Sequence, residues 1–207
     1  MGAEVRQKHP NVYIDADARR KKKGFIVSQG NSDIRQAVED NRDSLKKLQL
    51  IIPGLRGYRE REDLRMSDEL LRNQMADRLD HVKSNLEDLR KQMAAGNDFT
   101  NLTTVGSLIW QVQTTSGQVR HAQQGYSGWT PPVTIREDKL NKLYDYDYAF
   151  VSSVLQLDSA TAPGTLVYDP ANPNSIQASL SQFAKTLSDI KQKWSVRMEA
   201  IEGIAIQ

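Results

Sequence analysis

The chain has 207 residues, of which 38% are hydrophobic and 26% are charged, and its net charge at pH 7 is only +2. It contains no cysteine, which excludes disulfides, thiolate metal sites and a cysteine nucleophile. No apolar run approaches the roughly 18 residues that cross a bilayer, and the first residues lack the apolar core of a signal peptide. We therefore expect a soluble, cytoplasmic protein. No stretch combines a broad apolar face with a dense basic face, so no helix is expected to lie on a membrane surface.

Residues 1–30 form a basic N-terminal arm, with seven basic against three acidic side chains. Pro10 and Gly24 interrupt any helical period there. The densest charge run is Arg19, Arg20, Lys21, Lys22 and Lys23. Two interpretations stay open for this arm, which we expect to be extended or disordered unless bound. It is either a solvated tail or a segment that binds nucleic acid, an acidic protein or an anionic surface.

Residues 31–207 are predicted to form a helical bundle, and its first helix covers about residues 32–52. The apolar residues follow steps of four and three, the spacing of a heptad seam that faces neighbouring helices. They are Ile34, Val38, Leu45, Leu48 and Ile52. Asn41 falls inside this spacing. It either fixes the register or the number of partners, or lies at the solvent edge of the seam.

A sharp break follows the first helix, because Pro53 cannot continue a helix and Gly54 favours a turn. The apolar residues 50–52 are expected to pack into the end of the bundle. Beyond the break, three arginines alternate with acidic residues: Arg56, Arg59 and Arg61. They are interpreted either as salt bridges between helices or as a cluster that reaches a partner's carboxylates or phosphates.

The second helix is predicted over residues 58–95, and its length is typical of an elongated bundle or a coiled-coil hairpin. Its seam again follows steps of four and three, at Met75, Leu79, Val82, Leu86, Leu89 and Met93. A helix this long is expected to leave part of the seam for a partner or a second copy. A glycine cap is predicted at residues 94–98, where the helix ends.

The third helix is predicted over residues 99–124 and carries a weaker seam. Gly106 and Gly117 lie within it, and such small residues let another helix approach closely. The loop at residues 125–132 contains Tyr126 and Trp129. These two aromatic residues either cap the core or form a docking tip.

The fourth helix is predicted over residues 134–158 and the fifth over residues 175–202, with a long loop between them. The inward positions of the fifth helix are Ile176, Leu180, Phe183, Leu187, Ile190, Trp194 and Ile201. Its basic residues, Arg197 among them, are expected to face outward. The sequence thus predicts an all-α fold of about five helices.

The chain carries none of the common catalytic motifs. Phosphate-binding loops, dinucleotide-binding glycines and a nucleophile elbow are absent, and no histidine has the Glu-x-x-His spacing of a two-metal bundle. Asp145 and Asp147 point about 200° apart on a helix, so they cannot share a proton. We therefore expect no enzymatic activity, no cofactor, no metal and no small-molecule substrate.

Three segments together resemble an uncharacterised family of bacterial and archaeal helical proteins. They are LIIPGLRGYREREDLR with the following DELLR, then QQGYSGW, then EDKLNKLYDYD. The similarity covers about residues 31–158 and implies a helical hairpin or bundle whose first turn carries the PGxxGY signature. It implies no known activity.

The sequence favours a non-enzymatic scaffold or adaptor that binds a protein partner, or assembles into a homo-oligomer, through its helical seams. In this hypothesis the basic arm is an accessory anchor. The alternative is a protein that binds RNA or a ribonucleoprotein, such as the ribosome, through the basic arm. A third hypothesis is an enzyme that uses the tyrosines and aspartates of the fourth helix.

Overall fold

The helices form because apolar residues recur at steps of four and three, which places them on one side of an α-helix. The computed structural model describes residues 43–56, 61–122 and 137–205, and their side chains except at 61–62, 137–138 and 203–205. These residues contain α-helices and no strand, so the protein has the predicted all-α fold.

The described residues form five α-helices, which follow one another in chain order. They are α1, described over residues 43–51, α2 (Arg61–Ala95), α3 (Phe99–Arg120), α4 (Glu137–Thr161) and α5 (Gln177–Ala205). A short 3-10 helix, Pro173–Ile176, leads into α5. The helices α4 and α5 both extend three residues beyond their predicted ends, whereas α3 ends four residues early.

The helices pack in two pairs that close around one core. The helix α2 packs along α3, and α4 packs along α5, while α2 also contacts α4 and α3 also contacts α5. The described part of α1 lies against α4. There Ser44 Oγ donates a hydrogen bond to Asp145 Oδ1 (2.7 Å), and Lys47 Nζ lies 5.4 Å from the centre of the Tyr148 ring.

The predicted inward positions of α2 and α5 are confirmed, because every one of these side chains is buried. One expectation about α2 is wrong. Its seam was expected to remain partly open for a partner, but α3 and α4 cover it within the same chain. The four-helix packing leaves none of the six predicted seam residues of α2 on the surface.

The sequence predicted that all three apolar residues before the turn pack into the end of the bundle. This prediction is wrong for Leu50 and only partly confirmed for Ile51. Leu50 is 86% exposed, Ile51 is half-buried, and only Ile52 lies in the core with Leu48. The reason is that α1 continues through residue 51, and consecutive helical residues point about 100° apart. Gly54 then makes the predicted turn with a φ of +87°.

The end of α2 also differs from the predicted glycine cap. Asn97 adopts the left-handed conformation (φ +59°), and the N–H of Asp98 donates to the Met93 carbonyl (3.0 Å). This is the hydrogen-bond pattern of a Schellman motif with asparagine at its left-handed position. Gly96 is needed for a different reason, since a Cβ there would lie 2.8 Å from Tyr168 Oη. The α4–α5 connection is thereby packed onto the α2–α3 turn.

Replacing Gly96 with alanine is expected to lower the free energy of unfolding by about 1–3 kcal/mol, because the buried Tyr168 ring must shift to make room. Urea unfolding followed by circular dichroism measures the change. Gly117→Ala is the matched control, since open space surrounds that position. There the expected change is a gain of about 0.5–1 kcal/mol. Equal effects at the two sites would contradict the close approach.

Tyr168 also predicts a loss of stability at alkaline pH. Burial, together with the carboxylates of Asp98 and Asp169, raises the pKa of Tyr168 above its usual value. Below about pH 10 the Tyr168 phenol is neutral in both the folded and the unfolded protein. As the pH rises further, the phenol ionises first in the unfolded protein, and this favours unfolding. The urea midpoint of the native protein is therefore expected to fall above about pH 10 more steeply than that of Tyr168→Phe. Parallel pH profiles would exclude a contribution from Tyr168.

Candidate functional site

Of the residues proposed from the sequence to bind a partner, Arg56 is the one whose side chain the structure describes. It is exposed and lines an open cavity of about 400 Å³ together with Gly54, Met66 and Leu70. Its carbonyl accepts a hydrogen bond from Ser67 Oγ (3.0 Å). Arg61 lies in the first turn of α2, and its side chain is outside the described part.

The other proposed residues lie outside the described ranges, so their roles stay predictions. They are Arg19, Arg20, Lys21, Lys22, Lys23, Asn41, Arg59, Tyr126 and Trp129.

A buried charge cluster, consisting of Asp68, Arg72, Asp147 and Arg197, joins α2, α4 and α5. Arg197 is its centre and is fully buried. Its Nε donates to Asp147 Oδ1, and its Nη2 donates to Asp68 Oδ1 (2.6 Å). Because each carboxylate comes from a different helix, this one guanidinium connects three helices.

Arg72 extends the cluster to the C-terminal end of α3. Its Nε donates to Asp68 Oδ2 (2.9 Å), and its Nη1 donates to the carbonyls of Arg120 (3.0 Å) and Ala122 (3.3 Å). Carbonyls at the end of a helix lack partners within the helix and carry partial negative charge. The buried Arg72 therefore satisfies the α3 terminus and the Asp68 carboxylate together.

The burial of Arg197 corrects the prediction that it faces outward. The inward spacing of α5 continues from Trp194 to Arg197 and then to Ile201 in steps of three and four, so the seam itself contained the signal. Asp147 likewise occupies a seam position on α4 between Leu143 and Phe150, both of which are buried. Charged residues at seam positions of two helices indicate a buried ion pair.

Aromatic rings enclose one side of the cluster. The Arg197 guanidinium carbon lies 5.2 Å from the centre of the Trp194 ring. The centres of the Trp194 and Phe150 rings are 5.1 Å apart. A buried guanidinium gains from such a contact, since the face of an aromatic ring attracts cations. The cluster has two positive and two negative groups and is closed to solvent. This arrangement suits a role in holding the helices together better than a role in binding a substrate.

A second feature is the outer stripe of α3, which faces away from the core. Its members follow steps of four and three along the helix. They are Phe99, Thr103, Gly106, Trp110, Gln113 and Gly117, and none of them is buried. Phe99 is 72% exposed and Trp110 is 66% exposed. The outer stripe therefore places two large aromatic side chains on one helix face, three turns apart.

The outer stripe carries no charge, and α3 contains no charged residue before its last position, Arg120. That guanidinium donates to Asp77 (2.9 Å) and Asp80 (2.7 Å) of α2, and these hydrogen bonds, the one to Asp77 first, raise the pKa of Arg120. The only cation of α3 is thus held against α2. The glycines of α3 were singled out from the sequence, whereas the stripe was not predicted, although its residues form a second series of steps of four and three.

Among the described residues, no three histidine, aspartate or glutamate side chains lie close enough together to hold a metal ion. None of the described helices is long and apolar enough to cross a bilayer.

No family model, curated protein or solved structure matches the chain. The resemblance of the three sequence segments to a helical family therefore stays a prediction. Two of these segments meet in the structure, since DELLR contributes Asp68 and Arg72 to the buried charge cluster and EDKLNKLYDYD contributes Asp147.

Proposed function

We propose that this protein is a non-enzymatic helical scaffold or adaptor that binds a protein partner through the outer stripe of α3, with the basic arm as an accessory anchor. The observation that carries this proposal is the uncharged stripe itself, with Phe99 and Trp110 exposed on one face. Covering such a face removes apolar surface from water without desolvating a charge.

The rest of the bundle supports this role by holding α3 in place. The inner side of α3 packs on α2, where Ser116 Oγ donates to Asp80 Oδ1 (2.7 Å) and also lies within hydrogen-bond distance of the Ala76 carbonyl (3.2 Å). Its start is tied to the α4–α5 connection, because Asn101 Nδ2 donates to the Pro173 carbonyl (2.8 Å). A stripe fixed in this way loses little conformational entropy on binding, which favours affinity.

Site-specific photo-crosslinking tests the proposal. A photoreactive residue replaces Gln113 in the stripe of the full-length protein, and in a separate control it replaces Arg90, which is exposed on α2. After irradiation in native lysate we expect a protein adduct from position 113, its loss in Trp110→Glu, and none from position 90. An absence of adducts, or equal adducts from both positions, would count against the proposed function.

A further inference from the structure

The side chains of the outer stripe form pairs at equal distances on either side of the level of residue 108. Counting outward from that level, Trp110 corresponds to Gly106, Gln113 to Thr103, and Gly117 to Phe99. Each aromatic residue thus corresponds to a glycine, and the two polar residues correspond to each other. A two-fold axis at this level would bring each residue of one copy opposite its counterpart in another.

We propose that the outer stripe of α3 binds the same stripe of a second copy of this chain, with the two helices antiparallel and the axis at the level of residue 108. This inference rests on the proposed function and names its partner. In such a symmetric contact every pairing of a residue with its counterpart occurs twice, once on each side of the axis. A large side chain must therefore face a small one across the axis. Two of the three pairs in the outer stripe meet this condition, and the third places the uncharged polar side chains of Gln113 and Thr103 opposite each other.

The glycines provide the space that this pairing needs. A Cβ built at Gly106 or at Gly117 meets no atom within 4 Å, so the surface above both residues is open. The ring of Trp110 fits over Gly106, and that of Phe99 fits over Gly117, as large side chains enter the gaps of a facing helix in coiled coils. A parallel pair in register would instead place Trp110 against Trp110 and leave glycine facing glycine.

The size of the stripe sets the expected strength of the contact. From Phe99 to Gly117 it extends about 27 Å at 1.5 Å per residue. A contact of one helix from each copy is smaller than the roughly 800 Å² per partner of a standard interface. The dimer is therefore weak, with a dissociation constant on the order of micromolar, and Trp110 near its centre contributes most of the affinity.

Sedimentation velocity of the full-length protein over a range of concentrations tests dimer formation. The native protein is expected to shift from monomer to dimer, and Trp110→Glu to weaken the dimer by about tenfold or more. Thr104→Glu is the matched control, because it adds the same charge to an exposed position of α3 outside the stripe. A native protein that stays monomeric up to about 1 mM, or equal weakening in both variants, would overturn the inference.

Engineered cysteines test the orientation, since the chain has no cysteine of its own. Thr103→Cys and Gln113→Cys are oxidised separately and as a mixture in which one variant carries a mass tag. In the antiparallel pair, residue 103 lies opposite residue 113 of the second copy. Two copies of residue 103 lie about 15 Å apart along the helices, too far for a disulfide. A covalent dimer is therefore expected only in the mixture, and adding Trp110→Glu to both chains should abolish it.

The experiments separate failure of this inference from failure of the proposed function. If the photoreactive residue at position 113 forms adducts with a different protein, and the cysteine mixture gives no covalent dimer, the second-copy inference is overturned and the adaptor function stands. If the separate variants crosslink as readily as the mixture, the antiparallel arrangement is overturned. Adducts of the chain with itself, together with crosslinking in the mixture alone, support both.

Discussion

Arg197→Met is expected to lower the free energy of unfolding by about 3–5 kcal/mol, the largest loss we predict for a single substitution. The substitution leaves two carboxylates, Asp68 and Asp147, in the core without the guanidinium that now donates to both. Methionine fills the volume but supplies no charge or donor. Since whole domains are stable by only about 5–15 kcal/mol, the variant is expected to lose a large part of its total stability.

Urea unfolding monitored by circular dichroism measures this loss. The matched control is Arg78→Met, which removes another arginine with a carboxylate partner, Asp158, at 2.9 Å. The Arg78 side chain is 53% exposed and His81 also contacts Asp158, so the expected change is below about 1 kcal/mol. A loss of the same small size in Arg197→Met would show that the buried charge cluster does not hold the helices together.

Arg197→Lys distinguishes charge from geometry within the same cluster. Arg197 uses two different nitrogens to reach carboxylates on two helices, and a lysine ammonium offers a single nitrogen on a flexible stem. We expect the free energy of unfolding of Arg197→Lys to lie between that of the native protein and that of Arg197→Met. A lysine variant as stable as the native protein would mean that the positive charge alone is sufficient.

Leu48→Ala is expected to lower the free energy of unfolding by about 2–5 kcal/mol, because Leu48 is fully buried and its removal leaves a cavity. Leu48 is the buried residue within the described part of α1, and Ile52, just after the helix, packs into the same core. The loss therefore measures how strongly α1 belongs to the same cooperative unit as α2–α5.

Leu50→Ala provides the matched control, with the same substitution two residues along the same helix. Leu50 is 86% exposed, so the change is expected to stay within about 0.5 kcal/mol. Urea unfolding of both variants under the same conditions makes the comparison. A large loss in Leu50→Ala, or none in Leu48→Ala, would contradict the position of α1 in the bundle.

The sequence by itself predicted the helices and most of the core. Periodicity along the chain is a local property, and it placed the inward residues of α2 and α5 correctly without any knowledge of their neighbours. The same pattern extends through Asp147 and Arg197, yet Arg197 was expected to face outward because it is charged. A charged residue at a seam position is buried only when its partner occupies the facing helix, and periodicity gives no information about the partner.

The tertiary structure alone decided which residues meet and which faces remain open. Asp68 and Arg197 are 129 residues apart in the chain, and the packing of α2, α4 and α5 brings them together. The cover that α3 and α4 place on α2, and the exposure of Trp110 and Leu50, likewise depend on which helices are neighbours. A helix pattern defines two sides of a helix, but only the arrangement of the other helices determines which side is covered. For that reason the sequence determined the all-α fold, and the packing revealed the buried charge cluster and the outer stripe of α3.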